Sequence, residues 1–278
     1  MPFTPSHAII ALPFVRSPLV PAAIAIGAMT PDLPLFARFT PLGYGRTHDL
    51  AWLPATMLLA LVLLLVWRCA LRPAARELSP DRLAARLPEE WDRGAAGALR
   101  DAFGLHAVRE PGRPQRWAPS WSAILLLVVS LALGVVSHIV WDLFTHEGRG
   151  GVSAIPALGT MWGPLPGYKW LQHGSSVAGI VILGIWGWSW LRARRADGSV
   201  IRVLPAWVRG AWWLSLPVVL AIAWFSGMAA FGPFDSAFTP QHLGYRVLPP
   251  ACAAWGMLTL ALAVTVQVMR ARRRAVAA

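Results

Sequence analysis

The sequence predicts an all-α, polytopic integral membrane helix bundle. Three observations predict it. Of the 278 residues, 56% are hydrophobic and only 14% charged, where a soluble globular chain carries roughly 25% charged residues. Five stretches approach the ~20 apolar residues that cross a hydrocarbon core. The arginines fall in alternate connections between those stretches. The prediction is five full spans plus an N-terminal broken helix or re-entrant hairpin, with a sixth span as the alternative. All of 1–278 reads as one membrane domain.

The N-terminal stretch, 8–29, is long enough to span, but Arg16-Ser17-Pro18 interrupts it and Pro13 and Pro21 flank the break. Proline inside a helix removes a hydrogen bond and clashes with the preceding turn. Two half-helices, about 5–15 and 19–29, fit better than one straight span. The first clear span is 51–68. The 69–118 connection carries nine arginines and seven of the 13 acidic residues, and reads as a solvated cytoplasmic insertion. Its Ser79-Pro80 resembles an N-cap with proline at the first helical position, which predicts short helices near 80–87 and 89–103. Further spans follow at 120–144, 174–191, 207–231 and 249–269, and a basic cytoplasmic tail at 270–278.

The 192–209 connection and the tail add five and four arginines. These two regions and the insertion alternate correctly with the spans, so all three are placed in the cytoplasm of a multi-pass cell-membrane protein, the C-terminus included. The connections 30–50, 145–173 and 232–248 lie outside. The +12 net charge is therefore an orientation signal. It points to the lipid bilayer as partner and not to nucleic acid. Tryptophans at span ends (Trp52, Trp67, Trp121, Trp170) form the aromatic belt of a membrane interface. Cys69 and Cys252 are far apart, with no CxxC spacing, so neither a disulfide nor a cysteine metal site is expected. No basic region precedes Arg16, so no cleaved signal peptide is expected. Gly-x-Ser-x-Gly, P-loop and GxGxxG patterns do not occur.

Few ionisable groups remain outside the cytoplasmic regions. His138, Asp142 and His146 share one face of the 120–144 span at i, i+4 and i+8. The two histidines are ~12 Å apart along the axis, too far for one metal, and Asp142 can serve an ion on either side. An aspartate at that depth costs ~2.5–3.5 kcal/mol on insertion scales, so it needs a partner. If residues 8–29 form a hairpin, His7 and Asp32 meet at its open end, and His48, His138, His146 and His173 lie at the same extracytoplasmic level. His106 and His242 stand apart in other loops.

Imidazole and carboxylate ligands suit a divalent metal such as zinc, manganese or iron, with zinc the leading choice and one or two ions. Ligands in excess of one closed tetrahedron favour a catalytic or multi-metal site. Two ions ~3.5–4 Å apart are the usual device for phosphoester hydrolysis. Lys169 is a candidate substrate ligand as a point charge for phosphate, with Gln172 beside it. The other reading of Lys169 is an interfacial lysine that snorkels.

The segments MPFTPSH, GAMTPD, SHIVWDLFTH and YKWLQHGSS, in that order, resemble an uncharacterised bacterial membrane family, domain of unknown function 4184, over about residues 1–260. More distantly, the order His7, Asp32, His48, His138-x3-Asp142, His146 resembles that of zinc-dependent phospholipase C and the P1-type nucleases, helical enzymes with three zinc ions. That likeness implies one ion on Asp32, His48, His138 and Asp142. A second lies on His7, bridged by Asp142, and His146 begins a third set. Two departures stand out. The final His-x3-Glu is absent, leaving His173 or Glu147 to substitute. The N-terminal amine those enzymes use as a ligand is not one that Met1 is placed to supply. The resemblance implies a membrane-bound metal-dependent hydrolase of phosphoesters, a lipid among them. The alternatives are a non-catalytic scaffold with a structural His/Asp cluster and, third, a metal or proton transporter.

Overall fold

A computed structural model describes residues 4–38, 40–108, 115–196 and 200–277. Arg109, Glu110 and Arg113 of the predicted insertion, and Met1, lie outside the described residues. Seven principal helical elements carry the fold among the described residues. They are a 3₁₀ helix Thr4–Phe14, α1 (Pro21–Met29), α2 (Leu53–Val66), α3 (Trp121–Thr145), α4 (Gly167–Arg192), α5 (Ala206–Phe231) and, last and longest, α6 (Pro240–Ala277), with the first two forming one hairpin. Among the described residues, five helices are long and apolar enough to cross a membrane: Leu50–Leu78, Trp121–Thr145, Gly167–Arg192, Ala206–Phe231 and Pro240–Val276. The protein is therefore an all-α helical bundle with a multi-pass membrane character.

Helix boundaries differ from the sequence reading where polar residues continue a helix. α4 starts at Gly167 rather than 174, because Tyr168, Lys169, Gln172 and His173 are helical although not apolar. α6 starts at Pro240 and runs through Pro249 and Pro250. Past α2 the chain makes a π-turn at Trp67–Leu71 and a further helix, Arg72–Leu78. The expected helices after Ser79 are present in shorter pieces, Asp81–Ala84, Glu89–Arg93 and Gly94–Phe103. Two small antiparallel hairpins were not anticipated: His106–Val108 with Arg116–Ala118, and Met161–Trp162 with Leu165–Pro166.

The chain divides into two compact units. One comprises 1–33, 43–66 and 99–194, the other 34–42, 67–98 and 195–278. In the first, the N-terminal segment is the predicted broken helix. Ser17 Oγ donates to the Phe14 carbonyl at 3.0 Å and accepts from Leu19 N–H, so the break supplies its own hydrogen bonds. Val20 N–H donates to Ser130 Oγ of α3 at 2.9 Å. Ser130 lies ~12 Å along α3 from His138, which sets the depth the hairpin reaches. α1 then packs on α3 backbone to backbone. A Cβ on Gly134 would lie 2.3 Å from the Ile24 carbonyl oxygen, and one on Gly27 2.8 Å from the Leu131 carbonyl oxygen. Small residues permit such close helix approach inside membranes. Ala23, Ala60, Leu64, Leu127, Leu131, Val135 and Ile139 form the core around this crossing.

The second unit holds a buried ionic cluster that sequence reading assigned to solvent. Glu77 has no exposed surface. It accepts hydrogen bonds from Val203 N–H at 3.1 Å, Leu204 N–H at 3.0 Å and Arg270 at 3.3 Å. Arg270 and the buried Arg76 share the two oxygens of Asp92. Pairing of this kind is what makes a buried charge tolerable.

Candidate metal centre

Four segments bring the polar residues of the first unit together. The 3₁₀ helix presents His7 from its first turn. Thr30-Pro31-Asp32 closes the hairpin, and Thr4 Oγ1 donates to Asp32 Oδ2 at 2.7 Å, which ties the two hairpin ends together. Thr47 Oγ1 donates to the Pro31 carbonyl at 2.7 Å and so places His48 beside Asp32. α3 adds His138 and Asp142 on one face. His7, Asp32, His48, His138 and Asp142 are all buried.

The two central histidines have fixed tautomers. His138 Nδ1 lies 2.7 Å from the Ala28 carbonyl oxygen, and His48 Nδ1 lies 2.9 Å from that of Tyr44. A carbonyl only accepts, so each Nδ1 carries the hydrogen. In the neutral ring that a metal ligand requires, each Nε2 then holds a lone pair, and the two Nε2 atoms face each other at 3.1 Å. Carboxylate oxygens complete the cluster. Asp142 Oδ2 is 3.4 Å from His48 Nε2 and 3.5 Å from His138 Nε2. Asp32 Oδ1 is 3.8 Å and 3.7 Å from the same nitrogens. With both rings neutral and both carboxyls ionised, all four atoms are electron-pair donors and repel unless a cation lies among them. Asp32 Oδ1, both Asp142 oxygens and His7 Nε2 have no hydrogen-bond partner among the described residues. Buried polar atoms left unmade cost ~1–3 kcal/mol each. A tetrahedral zinc with ligands at ~2.0–2.1 Å would separate them by ~3.3 Å, close to the distances found. These buried groups can hold a metal ion.

His7 packs on the face of the His138 ring, whereas His48 meets that ring edge-on. The His7 ring stacks on that of His138, with centroids 4.1 Å apart. His7, His138 and Asp142 offer ligand atoms within 4.8 Å of one another, as do Asp32, His48 and His138. Burial pushes the His7 imidazole down to about 3, which keeps it neutral and able to coordinate. Burial pushes the Asp32 carboxyl up, against the pull of His138 and of the Thr4 hydroxyl. A cation would reverse that penalty.

The remaining predicted residues have different positions. His146 belongs to neither group of converging ligand atoms. Gln172 Nε2 faces His146 Nε2 at 3.4 Å, and Lys169 Nζ donates to Gln172 Oε1 at 3.1 Å. The Gln172 amide thus presents its N–H to His146, whose Nδ1 lies 3.5 Å from Asp142 Oδ2. Lys169, Gln172 and His146 form a chain that ends on the Asp142 backbone carbonyl, 3.3 Å from His146 Nδ1. His173 is exposed and lies in neither group. Sequence reasoning missed the carbonyls of Ala28 and Tyr44 as orienting partners, because a backbone acceptor leaves no trace in residue type.

The more distant likeness to zinc-dependent phospholipase C and P1-type nucleases gains no support. No curated protein and no solved structure matches the chain. The model of one family, described as "Domain of unknown function (DUF4184)", matches residues 1–264, most of the chain and all of the clustered residues. The chain belongs to that family.

Proposed function

We propose that the protein is an integral membrane, metal-dependent hydrolase of phosphoesters, with its site at the extracytoplasmic face. The observation that carries the metal is the pair of Nε2 lone pairs held 3.1 Å apart between two carboxylate oxygens. In this reading His48, His138, Asp32 and Asp142 hold one divalent ion, zinc by the tetrahedral spacing. His7 and Asp142 hold a second. When bound, such ions supply Lewis acidity and lower the pKa of a coordinated water.

The chain's own residues do the rest. Ala28 and Tyr44 fix the imidazole tautomers through their carbonyls. His146, positioned by Gln172, stands beside the Asp142 carboxylate. Lys169 is a point charge for substrate phosphate. In the reaction, a water oxygen bonds to phosphorus, the ester P–O bond breaks, and the water's proton passes to the departing alcohol. The outward orientation is supported by the arginine-rich 192–209 connection and tail at the opposite ends of the spans.

A second reading has its own support. Four protein ligands around the first position make a closed tetrahedron, the mark of a structural ion. Hydrolysis therefore depends on the second position at His7, which lacks a complete protein shell.

Metal analysis of the purified full chain tests the proposal. One or more equivalents of zinc or manganese are expected, with loss on His138→Ala combined with Asp142→Ala. Less than one equivalent, unchanged by that double substitution, would sink it. Full metal content with His7→Ala leaving phosphodiester turnover intact would favour the structural ion.

A further inference from the structure

A cavity of about 300 Å3 opens beside His7. It lies between the N-terminal 3₁₀ helix, α3 and α4, and its walls include Ser6, Ile9, Ile10, Ser137, Trp141 and Ala178. Its size is at the lower end for a small-molecule site. Its lining is mainly apolar, with His7 and the hydroxyls of Ser6, Ser137 and Ser175 as its polar groups. His7 marks the end nearest the metal ligands. Ile9 and Ile10 lie farther along the hairpin toward its turn, and Ala178 lies eleven residues into α4.

The cavity is also open sideways. Trp141 and Ala178 are exposed residues on helices long and apolar enough to cross a membrane. Where such a helix crosses the bilayer, its exposed apolar side faces hydrocarbon. Trp141 Nε1 donates to Ser175 Oγ at 3.3 Å across this rim. The floor is tight, since a Cβ on Gly179 would lie 2.9 Å from Ser6 Cβ.

We infer that this cavity receives the apolar chain of a membrane lipid that enters from within the bilayer, which brings the lipid's phosphoester to His7. The inference rests on the hydrolase reading and names its substrate class as phospholipid. A water-soluble ester gains nothing from an apolar wall open to hydrocarbon. An acyl chain that already lies in the bilayer enters without crossing water. The Ser6 and His7 polar atoms at the inner end match the point where chain meets headgroup.

The test uses the full chain in nanodiscs of phosphatidylcholine and phosphatidylglycerol doped with a phospholipid carrying a diazirine on its acyl chain. Photolabelled sites are mapped by mass spectrometry. Label is expected on Ile9, Ile10 and Trp141, falling at least fivefold at those sites in Ala178→Trp, which fills the cavity. Ile10→Trp is the second variant, in case the first does not fold. Both keep the wild-type metal content, and label on the outer faces of α5 and α6 stays constant. Label that is uniform over all apolar faces, or unaltered by both variants, overturns the inference. The hydrolase reading is scored separately, by metal content and by turnover of bis(p-nitrophenyl) phosphate. A metal-loaded chain that turns over this soluble ester but gives no cavity label keeps the hydrolase and loses the lipid. Cavity label on a metal-free chain keeps the lipid site and loses the hydrolase.

Discussion

Gly134→Ala is the most informative single substitution, because it leaves every proposed ligand in place. The added Cβ would sit 2.3 Å from the Ile24 carbonyl oxygen and 2.8 Å from the Ala28 amide nitrogen, where ordinary contact begins at 3.4 Å. Both obstacles are backbone, so no side chain can rotate aside, and α1 and α3 must part by ~1 Å. The His138 Nδ1–Ala28 O bond is 2.7 Å long. Lengthened to ~3.7 Å it is no longer a hydrogen bond. The imidazole then loses the partner that fixes its tautomer. Loss of such an orienting partner lowers metal affinity ~10–100-fold. Overpacking costs a further ~1–3 kcal/mol of stability, offset in part by the ~1 kcal/mol helix preference for alanine. Zinc affinity is read in detergent by competition with a chromophoric chelator, and stability by thermal melting. Gly184→Ala, where the added Cβ meets nothing within 4 Å, is the control and should change neither. Zinc affinity within twofold of wild type in Gly134→Ala would refute the argument that the helix crossing sets the histidine.

Four further outcomes follow from the same geometry. Chelation of the purified protein should lower its melting temperature, because an ion bound only to the folded state stabilises it by mass action; an unchanged melt after complete metal removal would contradict the repulsion argued for the four donors. Glu77→Ala should cost ~1–3 kcal/mol for each of the Val203 and Leu204 amides it leaves unpaired, Arg270 keeping its pairing with Asp92, measured by thermal melting, and Glu77→Gln should cost less. Ser130→Ala leaves the Val20 N–H without its acceptor and should lower stability by ~1–3 kcal/mol; a neutral result would show that the hairpin turn is not anchored there. Gln172→Ala should leave metal content within twofold of wild type while slowing phosphodiester turnover, since it frees His146 without touching a ligand. Loss of metal in that variant would make His146 part of the coordination shell.

The membrane class, the five long helices, the broken N-terminal stretch and the clustering of His7, Asp32, His48, His138 and Asp142 were legible in the sequence. Each follows from a local rule. Apolar length marks spans, proline and arginine mark the break, and a charged group in an apolar helix marks a buried polar cluster. The same rules could not place His173, because helical continuity carries α4 back past Gln172 and turns the next residue outward. Nor could they see that Glu77 and Arg76 are buried, since a charge-rich segment reads as solvated until its partners arrive from 202–204 and 270 in the distant sequence. What only the tertiary structure decided is which nitrogen of each histidine faces the site. That depends on two backbone carbonyls, and one of them is in reach only because Gly27 and Gly134 let two helix backbones touch. Residue type fixes which groups can donate an electron pair; the packing of the hairpin against α3 fixes where those pairs point.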